Sequence, residues 1–269
     1  MSVIDNHTTI LQPFFNYKLI SRDIRESYHS FVCSCLNINV NNCKLYDKNN
    51  TLISENEIKI ILFLSYRKNN VNAYCSNLFS CPPYKINMLD FLIRVGVDYN
   101  ISEIISNHMI ICSEQALLII KAAIMKDYHT VIQLLQIVNS KGNDDDPIKN
   151  ICNIVKKFSR EIKNFDQNIW KLLLPEVIIR ILLEKFRSEY MKNLLFTHKS
   201  NILFAKLALY DPIWGVAIKS DNSDTNNILL WRGCNILGYA LTAVFQFYSQ
   251  SNQSKDSEES LYYHLAKFF

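Results

Sequence analysis

Glycine and proline are scarce in this chain, 5 and 6 in 269 residues. That scarcity excludes Gly-rich phosphate loops and long flexible linkers. The eight cysteines contain no Cys-x-x-Cys pair, and the six histidines (7, 29, 108, 129, 198 and 264) never fall at helical ligand spacing. Neither a structural metal site nor a cofactor is therefore expected. Charge is also not concentrated. The formal net charge is +4, with 29 Lys and Arg scattered against 25 Asp and Glu, so no dedicated nucleic-acid surface is expected. Apolar runs such as Ile60–Leu64, Ala116–Ile120 and Leu172–Leu174 are broken by Ser65, Lys121, Pro175 and Arg180. They are far too short to span a bilayer. Met1 to His7 shows no basic segment followed by an apolar one, so no signal peptide is expected and the product should stay in cytosol or nucleus.

What remains is a chain able to bury a sizeable core. Hydrophobic residues make up 49% and aromatics 12%, with 14 Tyr and 15 Phe. The length suits one large domain with arms. The excess of Asn, Ile and Lys fits an AT-rich coding genome. Cys33, Cys35, Cys43, Cys75, Cys81, Cys112, Cys152 and Cys234 admit two readings. They are reduced, partly buried thiols, or some become intermolecular disulfides outside a reducing compartment.

The pattern divides into three parts. Residues 1–58 mix short apolar runs with Asn-rich turns and read as an N-terminal arm. Residues 59–250 read as a mainly α core with a few short strands, and 251–269 as a polar spacer ending in an aromatic tail. Ile58–Ser65 is β-branched and predicts a strand. Glu114–Lys126 predicts a helix. Asp144-Asp145-Asp146-Pro147 predicts acidic capping and a proline-led start for a helix with Ile148, Ile151, Val155, Phe158 and Ile162 on one face. Trp170–Phe186 predicts a helix that Pro175 kinks or delays by a turn. Asn235–Ser249 predicts a last amphipathic helix.

One segment carries a resemblance. Asp211-Pro212-Ile213-Trp214-Gly215, followed by Trp231-Arg232-Gly233-Cys234-Asn235-Ile236-Leu237-Gly238, resembles the closing signature of the NADAR-type (YbiA-like) N-glycosidases. Ser76-Asn77 resembles that family's Ser-Asn pair. Cys112-Ser113-Glu114-Gln115 resembles its Ser-Glu-His helix start, with Lys121 later in the helix. Trp170 to Val177, with Lys185 and Phe186, resembles its Trp-to-Lys-Phe helix. The resemblance covers roughly 59–250. It implies cleavage of a ribosyl or ADP-ribosyl N-glycosidic bond, with Glu114 as the carboxylate beside an oxocarbenium-like centre. Asp211 and Asn235 would support it and Trp214 would wall the pocket. Asn77, Lys121, Trp170 and Gly238 complete the remnants. Each also has a plain structural reading. Glu114 suits a helix first turn, Asp211 a turn start, Trp214 and Trp231 core anchors, and Gly238 close helix packing.

The departures are as informative. Gln115 replaces the family's His, and Leu117, Leu118 and Ile120 replace polar residues. Leu174 stands where a Lys is expected, Lys206 where a Glu is, Phe245 where an Arg is, and Leu78 where an aromatic is. Polar-to-apolar changes on this scale describe a filled pocket, so no catalysis is expected.

Size, composition, helical character and the many cysteines also resemble the occlusion-body matrix proteins (polyhedrins) of nudiviruses. That resemblance implies a self-assembling lattice in the host nucleus or cytoplasm, later extracellular, with the virion envelope surface as partner. Cys33, Cys35, Cys43, Phe268 and Phe269 are its candidate assembly residues. Two alternatives stand beside it: an active NADAR-type N-glycosidase using Glu114 and Asp211, and a non-catalytic nucleotide-binding relative.

Overall fold

The computed structural model describes residues 59–64, 70–137, 157–158, 161–198, 202–219, 223–226 and 230–249. The arms at 1–58 and 251–269, and most of the helix expected after Asp144, lie outside them. The described residues fall into two compact units. A strand unit takes in 59–64, 70–72 and the described residues from 196 to 249. A helical unit takes in the described residues from 73 to 195. The chain thus leaves the strand unit, builds the helical unit and returns.

The helical unit contains α1 (Leu89–Arg94), α2 (Tyr99–Asn107), α3 (Ser113–Ile124), α4 (Tyr128–Gln136), α5 (Gln167–Lys185) and α6 (Glu189–Leu195). Three aspartates start its helices. Asp98 accepts from Asn100 N and Ile101 N, Asp127 from Thr130 N, and Asp166 from Asn168 N and Ile169 N. Each satisfies backbone donors that the first helical turn leaves without a partner. Gly96, at φ 83°, reverses the chain after α1, a conformation open to glycine at no steric cost.

α3 is the centre of this unit. Ten of its twelve residues are buried, so it is apolar on nearly every face rather than along one stripe. It packs against α4 and α5. α5 begins well before Pro175 and continues ten residues beyond it, so the proline neither delays nor ends the helix. The helix survives because burial of its apolar residues, from Leu174 through Leu183, outweighs one missing backbone bond. An ion-pair set ties α5 to α1: Arg180 donates to Glu176 and to both carboxylate oxygens of Asp90, while Arg94 also reaches Glu176. Arg180 and Glu176 are both buried, so each needs the other's charge.

The strand unit is built on β1 (Lys59–Phe63) and β2 (Ile202–Lys206), which pair in parallel with Lys59 opposite Ile202 and Phe63 opposite Lys206. The sheet is backed by α7 (Ile236–Ser249). The strand expected at 58–65 and the helices expected around 114, 170 and 235 are present. The architecture is mainly helical, with few short strands.

Candidate functional site

The helical unit places four of the candidate residues around α3. The helix begins at Ser113, and Glu114 lies in its first turn, where a carboxylate meets the positive end of the helix dipole. Glu114 N donates to Asn77 O at 3.0 Å, joining the Ser76-Asn77 segment to the helix start. Glu114 and Lys121 are seven residues apart, two turns on one face. They are also the two residues of α3 that are not buried. Leu117 and Leu118 fill the turn between them, with 2% and 4% exposure. α3 therefore opens to solvent along a single stripe, with an acid at one end and a base at the other.

Aromatic rings flank the basic end. The Lys121 ammonium stands 4.0 Å from the Phe165 ring centroid and 5.8 Å from that of Trp170. Burial pulls this ammonium below the usual lysine range, and the Glu114 carboxylate partly opposes the shift.

The helical unit also holds a buried polar cluster of a different kind. Lys185 is 1% exposed, and its Nζ donates to Tyr74 O at 2.7 Å and Ser76 O at 2.9 Å. It clamps the turn that leads into Asn77. Its charge is held by carbonyl dipoles and by the Phe79 and Phe186 rings, 5.8 and 5.2 Å away. Burial lowers its pKa and raises those of Cys75, Cys81 and Cys112 nearby. Asn77 Oδ1 is buried and finds no hydrogen-bond partner among the described residues.

Gln115, standing where the resemblance expects His, is fully buried. Its Oε1 accepts from Ile111 N and its Nε2 donates to Leu134 O, each at 3.2 Å. It braces the start of α3 against the end of α4 and faces away from the stripe.

The remaining candidates belong to the strand unit. β2 pairs with β1 along one edge, and its other edge is covered by side chains. Asn235 Nδ2 donates to Phe204 O at 2.9 Å, and Asn235 Oδ1 accepts from Lys206 N at 3.1 Å. Thr242 Oγ1 accepts from Phe204 N at 3.0 Å and donates to Gly238 O at 2.8 Å. A side-chain amide and a hydroxyl thus stand in for a third strand. Asn235 has φ 48°, a left-handed conformation that asparagine tolerates.

The glycines follow from the same close approach. A Cβ at Gly238 would press into Phe204 O, one at Gly233 into Gly215 O, and one at Gly215 would lie 2.7 Å from Lys206 O. Asp211 accepts from Trp214 N at 3.2 Å and pairs with Lys206 Nζ at 2.9 Å. The charge reversal at Lys206 therefore neutralises the aspartate. Trp214 is half-buried; Trp231 is buried and donates to Thr225 O. Phe245, at the expected arginine position, is buried against Phe196 and Phe204.

Asn77, Glu114, Lys121 and Trp170 are thus assembled in one unit, and Asp211, Trp214, Asn235 and Gly238 in the other. Phe165, Asp127 and Thr242 were not singled out from sequence. A phenylalanine five residues before the next helical tryptophan, and a threonine inside an apolar helix, were the available signals.

Cys33, Cys35, Cys43, Phe268 and Phe269 lie outside the described residues. Cys75, Cys81 and Cys112 are free thiols and buried, and Cys234 is buried as well. Among the described residues no group of three His, Cys, Asp or Glu is placed to hold a metal, and no helix is long and apolar enough to cross a membrane.

A family model described as NADAR domain matches residues 68–246, well over half of the chain. No curated protein matches it. Neither finding lends support to the lattice-forming matrix protein, its virion partner or its disulfides.

Proposed function

Because the chain belongs to the NADAR family, we propose that it is an N-glycosidase of that kind, cleaving a ribosyl N-glycosidic bond at the exposed stripe of α3. The observation that carries this reading is that Glu114 and Lys121 alone open an otherwise buried helix to solvent.

The chemistry follows from the residues. Positive charge develops on the ribosyl carbon as the bond to nitrogen breaks, and a carboxylate beside it stabilises that charge. Glu114 supplies the carboxylate at the wet end of the stripe. The leaving base gathers the departing electron pair. Lys121, the only cation on α3, is the donor on that face that can hydrogen-bond to it. Trp170 and Phe165 supply flat apolar surface for a ring.

A second reading is favoured by a specific pair of observations. Asp211 is neutralised by Lys206, and Gln115 is spent on bracing the core. An α3 stripe without the histidine that the resemblance calls for would bind a ribosyl ligand without cleaving it.

One experiment separates the two. Purified protein is incubated with ADP-ribosylated guanine nucleotides and ribosylated pyrimidine intermediates, and base release is followed by chromatography. Release that falls about 10²–10³-fold in Glu114→Gln supports the enzyme. Binding without release, unchanged by the same substitution, supports the non-catalytic reading. Neither binding nor release refutes both.

A further inference from the structure

The stripe of α3 is walled by a short segment ahead of α5, residues 162–166, that carries none of the signature residues quoted above. Its conformation is fixed from outside. Asp127 is 5% exposed, and its carboxylate accepts from Lys163 N at 2.9 Å, from the Thr130 hydroxyl at 2.8 Å and from Thr130 N at 3.3 Å. Burial pushes the Asp127 carboxyl up, and these hydrogen bonds outweigh it and hold it below the usual carboxylate range. Asn164 takes φ 54°, so the chain reverses there. Asp166 N then meets Met125 Sδ at 3.2 Å, and the Asp166 carboxylate caps α5. Between these anchors stands Phe165, which is 43% exposed yet has its ring 4.0 Å from the Lys121 ammonium.

A large apolar ring held at the surface by a buried aspartate has a local reason to be there. The face of an aromatic ring is negative, so it attracts a cation and repels an anion. Phe165 on one side and Trp170 on another cover the ammonium with such faces. At the other end of the stripe Glu114 is itself an anion. The stripe as a whole offers a phosphate little.

We propose that Phe165, presented by the Asp127-anchored turn, is a specificity-determining residue that caps Lys121 and keeps phosphate off this end of the site, leaving it to the uncharged base and ribose of the ligand. The proposal rests on the reading of the α3 stripe as a ribosyl site, but its test does not require turnover.

The test follows acylation of Lys121 by peptide mass spectrometry, with and without inorganic phosphate, against chloride at matched ionic strength. Comparing rates at one pH within each variant removes any change in lysine basicity. In the wild-type protein, phosphate should leave the Lys121 rate unchanged. In Phe165→Ala, and more weakly in Asp127→Asn, phosphate should slow it by about fivefold, the scale of one exposed cation–π contact. Phe165→Tyr keeps a ring face and should behave as wild type. Phosphate protection of Lys121 in the wild type, or none in Phe165→Ala, overturns the proposal. Absence of base release by the wild type counts against the glycosidase reading alone. Phe165 is partly exposed, and circular dichroism of each variant confirms that the fold is retained.

Discussion

The helical unit and the strand unit each carry part of one family signature, and they use it differently. In the helical unit the matching residues leave charged atoms accessible: Glu114 and Lys121 are the open positions of a buried helix. In the strand unit the matching residues are consumed by backbone. Asn235 closes the edge of β2 beside the unsignalled Thr242, Gly238 and Gly215 admit carbonyls where a Cβ would collide, and Asp211 is held by Lys206. A shared motif is thus no guide to a shared role. A retained residue whose hydrogen bonds go to the main chain reports packing; one whose charge stays accessible to solvent is open to a ligand.

The substitution expected to do most damage is Gly238→Ala. The added methyl meets Phe204 O, a backbone atom that cannot swing aside. A loss of about 3–5 kcal/mol of stability is expected by urea denaturation, the scale of severe overpacking. A loss below about 1 kcal/mol would show that α7 slides easily on β2, and the strand unit would lose its claim to be locked.

Glu114→Gln draws the opposite profile. Base release should fall about 10²–10³-fold while the thermal midpoint barely moves, because the residue is half-exposed and surface changes are usually small. If instead the midpoint collapses and release persists, Glu114 is structural and the contrast between the units is gone.

Asn235→Ala comes next. It removes two hydrogen bonds from the β2 backbone and puts alanine at φ 48°. About 2–3 kcal/mol should be lost, since Phe204 O and Lys206 N are left without partners.

The two units should also differ in alkali. Burial pushes Cys112 and Cys234 up to about 12, and raises Cys75 and Cys81 as well. A thiol whose folded value exceeds its ordinary value near 9.0 contributes stability below that pH, lost as pH climbs through the folded value. Lys185, pulled down by burial, works the other way and gains stability as pH rises toward 10.5. Lys121 does the same, while Tyr84, pushed up by burial, adds to the thiols above its ordinary value. Three thiols and a tyrosine against two lysines leave a net loss in the helical unit, where the strand unit has Cys234. Hydrogen exchange at about pH 8 and about pH 11 should show α3 and α5 loosening before α7. Uniform loosening would contradict this.

How far the sequence could be read follows the same division. The β-branched run at 59–63 and the long periodic helices announced themselves, because their burial pattern is written in consecutive residues. The short helices α1, α2 and α4 were hidden by their length. Their marks were small ones, Asp98 and Asp127 as caps and Gly96 as a stop. β2 was missed because Ile202–Lys206 is a five-residue apolar run whose partner lies more than a hundred residues earlier. The site was legible as a set of residue types, and Glu114 with Lys121 stood at the right spacing. That Gln115 turns inward depends on the carbonyl of Leu134 nineteen residues away, and that Phe165 caps Lys121 depends on a chain reversal at Asn164; no local pattern specifies either. The charge reversal at Lys206 was visible, but its consequence needed the 2.9 Å pair with Asp211.

That pair gives the smallest effect and the finest test of the comparison. Lys206 and Asp211 side chains are 20% and 34% exposed, so water and salt screen their attraction, and the ion pair is worth about 0.5–1 kcal/mol. Lys206→Glu restores the acidic residue that the resemblance calls for and sets two carboxylates side by side. Like charges at this distance push the proton affinity of one carboxyl up. If Asp211 serves only to cap the turn at Trp214, stability should drop by about 1 kcal/mol, recover at low pH as one carboxyl is protonated, and base release should not change. If release instead rises in Lys206→Glu, the strand unit holds a chemical group that the ion pair keeps silent. The line between a packing half and a chemical half would then have been drawn by one substitution.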